Sequence, residues 1–188
     1  MAMGALDRSR THSQELELEI WSEDTTIYMT QGHGGCHPIG LALAAASRGF
    51  HAEVYINKRE PLFVESVRTA DKKAILEVVH NHYVELAKEQ DIPISYSNVT
   101  QNQIEDWLDE GALVLMLIST YRMDRRKAPH WVTITADDDE CLYVHDPDPT
   151  EGEQSALDCR DMPILRSDFG RMSVFGRSLL RTAVVVRK

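Results

Sequence analysis

The stretch PIGLALAAASR, residues 38–48, is apolar nearly all round. Ile39, Leu41, Leu43 and the alanines at 42, 44, 45 and 46 leave no polar stripe for solvent. A helix of this kind has to be buried on every side, so the rest of the chain must wrap it. Pro38 suits the first helical turn, where its missing N–H costs nothing, and Gly49 suits the stop. The residues just before it, TQGHGGCH, crowd three glycines and two histidines around one cysteine, Cys36. A core cysteine needs no such neighbours, whereas a nucleophile can use them all.

The chain has 188 residues, enough for one domain with one sizeable core. Residues 1–14 read as a flexible tail and 15–188 as a single domain. LELEI (16–20) and TTIYMT (25–30) read as short extended segments, 51–57 as a strand, and 71–90 as an amphipathic helix. Ile75, Val78, Val79, His82 and Leu86 supply the apolar stripe of that helix. IPISY is a short strand, and Thr100 and Gln103 stand at capping-box spacing before a short helix that ends at Gly111. A buried strand at 112–119, a hairpin, a short helix at 167–175 and a last strand at 179–186 complete the chain. Helices dominate the first half and strands the second, which predicts an α+β fold.

The hairpin yields a structural inference from alternation alone. ADDDE is the turn between HWVTIT and CLYVHDP. With the turn centred on Asp138, His130 faces Asp146, Val132 faces Val144 and Ile134 faces Leu142, all on one face. Opposed Cβ atoms lie roughly 5 Å apart, near enough for a carboxylate to orient an imidazole. Taken singly, His130 is an ordinary strand residue and HDPDP an ordinary solvated turn.

Cys36 sits where a helix dipole and free N–H groups stabilise a thiolate, the nucleophilic form. The glycines let the backbone turn sharply and let a substrate chain approach. The Cys36 N–H is aimed where an oxyanion forms in acyl transfer. Three other readings stay open: a small buried thiol, an anion-binding nest, and a metal cluster of His33, Cys36 and His37. The metal reading lacks a fourth ligand, and no Lys or Ser/Thr stands in P-loop position. No metal or cofactor is therefore expected.

A net charge of −10 argues against nucleic acid and anionic membranes as main partners. The longest apolar runs are too short to span a bilayer. Three cysteines with no close pair and no export signal point to reduced thiols in a cytoplasm. Cys141 and Cys159 read as structural. YRMDRRKAPH, residues 121–130, is a basic loop on an acidic chain. It is either a solvated loop or a substrate lip in which Arg125 and Arg126 attract an acidic peptide.

The glycine-rich turn with Cys36 and Pro38 leading into an Ala/Leu-rich helix, then APHWV and YVHDP, resembles the bacteriocin-processing (double-glycine leader) cysteine peptidases of the papain clan. The likeness is greatest to their stand-alone bacterial relatives, some of which sit beside an acetyltransferase domain, through GHGGC, LISTYR and KAPHWV. It covers about residues 25–186, and the order Cys, His, Asp is the papain order. The resemblance implies a papain-like fold, in which a buried helix carrying the nucleophile packs on a C-terminal antiparallel sheet. It implies Cys36 as nucleophile, His130 as general base and acid, Asp146 as orienting carboxylate and Gln31 in the oxyanion hole. Gln31 lies five positions before Cys36, one fewer than papain-type enzymes show. His37 stands where relatives usually carry Gly. Gly34, Gly35, His37 and Trp131, with the two arginines, are the residues expected to meet substrate. The implied activity is hydrolysis of an amide bond in a peptide or protein through a thioester acyl-enzyme. A catalytically silent peptide-binding module and an acyltransferase or transamidase on the same triad remain alternatives.

Overall fold

The computed structural model describes residues 1–25, 35–125, 128–149 and 154–188. Seven strands form one sheet: β1 (His51–Ile56), β2 (Ile94–Ser95), β3 (Leu113–Ser119), β4 (Pro129–Asp137), β5 (Cys141–His145), β6 (Met162–Leu165) and β7 (Thr182–Arg187). Their spatial order is β2-β1-β7-β3-β4-β5-β6. Every neighbouring pair is antiparallel except β1 with β2. The fold is the expected α+β, papain-like arrangement. The sheet is not purely C-terminal, because β1 and β2 come from the first half of the chain.

Central β7 explains the layering. Its run TAVVV is buried on both faces, with Val184 and Val186 in one apolar cluster and Ala183 and Val185 in the other. A strand covered on both sides reads as a continuous apolar run, since neither face meets water. The first cluster is covered by α3 (Pro38–Ala46) and α4 (Ala70–Glu89). The second is covered by α5 (Gln101–Asp109) and α7 (Arg166–Met172). As its composition demands, α3 buries Ile39, Ala42, Leu43, Ala44 and Ala45. Burying a side chain such as Ile39 contributes roughly 1.5–3 kcal/mol. Among the described residues no helix is long and apolar enough to cross a membrane.

Several expectations are corrected. Residues 1–6, read as part of a tail, include a helix, α1 (Ala2–Leu6), whose Ala2 is buried and whose Met3 and Leu6 pack on the first cluster. LELEI lies within a second helix, α2 (Gln14–Asp24), capped by the Ser13 hydroxyl, which accepts from the Leu16 N–H. Its Glu/Leu alternation imitates strand periodicity, but both residues are strong helix formers and the cap settles the competition. Along α4 the buried stripe is Leu76, His80, Tyr83 and Ala87; Val78 is 68% exposed. Strand β6 was not foreseen. The capping box of α5 forms as expected, with Thr100 and Gln103 bonded reciprocally. Residues 26–30 of TTIYMT lie outside the described residues.

The hairpin keeps its predicted face and loses its predicted register. Ile134 pairs with Val144 and Thr133 with His145, and an irregularity between Ile134 and Ala136 shifts the rest. A slide of two residues preserves the faces. Val132, Ile134, Leu142 and Val144 accordingly share one buried cluster. Asp146 then stands diagonal to His130 instead of directly opposite, still within reach of long side chains.

Candidate active site

The N-terminus of α3 carries Cys36 on an extended backbone. Cys36 pairs with Thr25 in an isolated antiparallel bridge, and the His37 N–H donates to the Asp24 carbonyl at 2.8 Å. In this kind of pair the flanking residues exchange the bonds. Among the described residues the Cys36 N–H has no acceptor. Gly35, just before it, is half-buried.

His37 caps the helix and faces inward, 1% exposed. The Ile39 N–H donates to its Nδ1 at 3.2 Å. Because a backbone N–H can only donate, Nδ1 is unprotonated and the ring proton sits on Nε2. That nitrogen donates to Nδ1 of His80, 3.2 Å away, which the Leu62 N–H also approaches at 3.5 Å. Both rings are thereby fixed neutral. Burial, then the neighbouring His80, holds the His37 pKa well below its ordinary value, and burial lowers that of His80. His37, expected on the substrate side, is a buried capping residue.

Cys36 is half-buried and faces Asp24. Burial, then the nearby Asp24 charge, push the thiol pKa far above its ordinary value. Burial and that charge both act against the thiolate expected at this helix start. Asp24 itself is fully buried, and burial raises its pKa to about 7. Tyr83 packs against the His37 ring and donates to the Glu23 carbonyl at 2.9 Å. Burial, then the charges of Asp24 and Cys36, bring its pKa to about 12.

On the sheet, Nε2 of His130 donates to Oδ1 of Asp146 at 2.7 Å, with both side chains largely buried. The Asp148 N–H donates to the same oxygen at 2.9 Å, and the Asp146 N–H donates to the Cys159 carbonyl at 2.9 Å. The turn DPD thus builds a rigid acceptor. Burial works to raise the Asp146 pKa, but the His130 and Asp148 hydrogen bonds and the imidazole charge outweigh it and lower it. The carboxylate accepts, so it fixes the His130 proton on Nε2 and leaves Nδ1 unbonded among the described residues.

The two halves are joined one residue along the strand. Nε1–H of Trp131 donates to the Cys36 carbonyl at 3.1 Å. Trp131, expected to contact substrate, anchors the Cys36 backbone to β4. A family model described as Peptidase_C39 like family matches residues 1–187. The chain belongs to that family. No curated protein and no solved structure matches it.

In this C39-like chain, His130 and Asp146 are brought into contact and Cys36 is tied to β4, the strand of His130. No hydrogen bond among the described residues joins the Cys36 thiol to the His130 imidazole. Arg125 is exposed, in a left-handed conformation at the end of α6 (Tyr121–Asp124), its guanidinium 5.8 Å from the Tyr121 ring. Gln31, Gly34, Arg126 and His33 lie outside the described residues. Among the described residues no cluster of histidine, cysteine and carboxylate could hold a metal.

Asp24, His80 and Tyr83 were not foreseen. In sequence Asp24 looks like its neighbour Glu23. One signal did exist: Gly40 interrupts an otherwise bulky apolar helix, and an interior glycine marks a close approach. The approaching group is Asp24, whose Cα would lie 2.7 Å from a Cβ at position 40.

Proposed function

We propose that the chain is a cysteine peptidase, related to the double-glycine leader peptidases, that cleaves an amide bond in a peptide or protein. The observation that carries this reading is the His130–Asp146 pair, held by Asp148 and coupled through Trp131 to the backbone of Cys36. His130 Nδ1 takes the Cys36 proton as sulfur attacks the substrate carbonyl carbon. The oxyanion is held by the Cys36 N–H and Gln31. As the C–N bond breaks, His130 protonates the leaving amine. Water, deprotonated by His130, then hydrolyses the thioester and restores the thiol. In this reading the substrate reaches the site past Arg125 and Arg126, and the setting is a reducing cytoplasm. Association with an acetyltransferase belongs to the same proposal.

A second reading, a silent peptide-binding relative, is favoured by one observation: among the described residues no hydrogen bond joins the Cys36 thiol to an imidazole, and the charge acting on it is that of Asp24. Turnover of a peptide library by wild type, Cys36→Ala and His130→Ala separates the two. Cleavage that disappears in both variants supports the peptidase. Cleavage by the Cys36→Ala protein ends it, and tight peptide binding without cleavage in wild type favours the binding module. Added amines that divert the product to new amides would instead mark an acyltransferase.

A further inference from the structure

Cys36 and His130 belong to different layers, one at the start of α3 and the other at the start of β4. The layers meet through the first apolar cluster, where Ile39 and Leu43 of α3 join Leu117 and Val184 of the sheet. Apolar burial is non-directional, so it holds α3 on the sheet without fixing how far the helix slides along it. A single directional bond does fix it. The Trp131 Nε1–H donates to the Cys36 carbonyl at 3.1 Å, and among the described residues no other hydrogen bond joins residues 35–46 to a strand. The N–H of the same peptide group, that of His37, donates to the Asp24 carbonyl at 2.8 Å. The Cys36–His37 peptide is therefore held at both its polar atoms, by β4 at one and by the end of α2 at the other. Trp131 is well placed for this. It stands beside Leu117 in the sheet and packs on the first cluster, the face that α3 covers, while Val132 turns to the second cluster. By the same alternation His130 projects to the face of Val132, one residue from the bond.

We propose that Trp131 is a positioning residue: its indole N–H sets the register of Cys36 on β4 and, through it, the reach from the thiol to His130. Because His130 and Trp131 project to opposite faces, thiol and imidazole meet at the end of the sheet, where β4 begins. A slide of α3 along the strand then changes their separation directly. Indole suits the task, since its N–H can only donate and its flat ring is held by two torsions in an apolar wall. This role takes the place of the substrate contact expected of Trp131. The inference rests on the peptidase reading for what the register serves, and on the Trp131–Cys36 bond for the register itself.

The test places β-(3-benzothienyl)alanine, which carries sulfur where tryptophan has its N–H, at position 131 alone, leaving Trp21 and Trp107 as they are. Wild type, this variant, Trp131→Phe and His130→Ala are compared by thermal melt, by steady-state kinetics on a cleaved peptide, and by iodoacetamide alkylation of Cys36 read by peptide mass. The benzothienyl variant should melt close to wild type, keep its KM and lose roughly 10–10²-fold in kcat, the effect of a displacement of about 1 Å. Its Cys36 should be alkylated more slowly than in wild type, at the rate of His130→Ala. An unchanged kcat overturns the proposal. So does a raised KM with kcat kept, which returns Trp131 to substrate contact. If His130→Ala slows alkylation and the benzothienyl variant does not, the triad stands and the positioning role falls. A kcat loss matched by a large fall in melting temperature in both Trp131 variants overturns it as well, because the bond is then structural only. If wild type cleaves no peptide and His130→Ala is alkylated like wild type, the peptidase reading falls by itself. The register is then decided in wild type by hydrogen exchange of the Trp131 indole proton: slow exchange keeps it, and exchange at the rate of free indole overturns it.

Discussion

Two histidine pairs meet near Cys36, and they rest on opposite electrostatics. His130 donates to a carboxylate that the Asp148 N–H also holds, on a residue whose own N–H donates to the Cys159 carbonyl. The carboxylate orients that ring and leaves its Nδ1 unbonded among the described residues. His37 donates to another histidine, and the backbone donors at Ile39 and Leu62 already occupy both acceptor nitrogens. A positive charge there breaks the cap and repels the second ring. One residue type therefore serves two purposes. Beside a carboxylate it is oriented as the proposed proton-transfer group, and in a neutral buried chain it is a fixed part of the frame that carries Cys36.

The largest expected effect breaks the first pair. His130→Ala should lower kcat/KM on a cleaved peptide by about 10²–10⁴, the usual contribution of a positioned acid–base group. The melting temperature should fall only modestly, since the Asp148 N–H still holds the Asp146 carboxylate when the ring is gone. Asp146→Ala should lose less, because the imidazole remains and only its orientation is relaxed. Steady-state kinetics beside a thermal melt checks both. A large stability loss in His130→Ala would make the pair structural.

His37→Ala is expected to reverse that pattern. It removes a helix cap, worth about 1 kcal/mol, and strands the buried Ile39 N–H and the His80 ring, at a further 1–3 kcal/mol or so. Urea unfolding should show roughly 2–4 kcal/mol of lost stability. Activity, normalised to folded protein, should fall much less than in His130→Ala.

Acid should separate the pairs without mutation. The folded-state pKa values of His37 and His80 are lowered from 6.5. The unfolded chain therefore binds more protons below that value, and stability is lost as pH falls through about 6.5 and beyond. Asp146 has a folded pKa lowered from 3.8, so its contribution persists until pH drops below that value. Asp24 has the opposite sign. Its folded pKa is raised from 3.8 to about 7, so it favours the folded state in acid, and that benefit fades as pH rises towards 7. Unfolding midpoints across this range should fall on the acid side in wild type. The fall should steepen in Asp24→Asn, where the opposing group is gone. A flat profile in both proteins would break the assignment of a neutral histidine pair.

These contrasts also explain what the sequence made legible. The layered α+β fold follows from α3 and β7, whose apolar runs exclude solvent on every side. The His130–Asp146 face follows from alternation, a property that survives a register slide of two residues; the turn lies further along than ADDDE implies, with Asp137 opposite Leu142, and the irregularity between Ile134 and Ala136 that brings the faces back into phase leaves no mark in the sequence. Helix α2 was misread because LELEI satisfies two periodicities at once, and the choice lies with Ser13, three residues earlier. The stripe on α4 was rotated because His80 is buried by a partner, His37, that lies 43 residues away in sequence. Asp24 was invisible for the same reason: a carboxylate reads as exposed until the packing of another helix covers it.

The smallest effect is expected at a third pair, and it sharpens what makes the first one a site. Nε2 of His145 lies 2.8 Å from Oδ1 of Asp161, almost the His130–Asp146 distance, and also lowers its partner's pKa. Asp161, however, is mostly exposed, and no second backbone donor among the described residues fixes it. His145 pairs with Thr133 on the opposite face of the hairpin from Val144. An exposed pair of this kind contributes about 0–1 kcal/mol, weakened further by salt. His145→Ala should therefore leave the Cys36 alkylation rate unchanged and shift stability by less than about 1 kcal/mol. If it slowed alkylation as His130→Ala does, proximity of the two rings through Thr133 would have to carry the effect. Burial of the carboxylate and its tie to the Cys36 backbone would then no longer distinguish the catalytic pair.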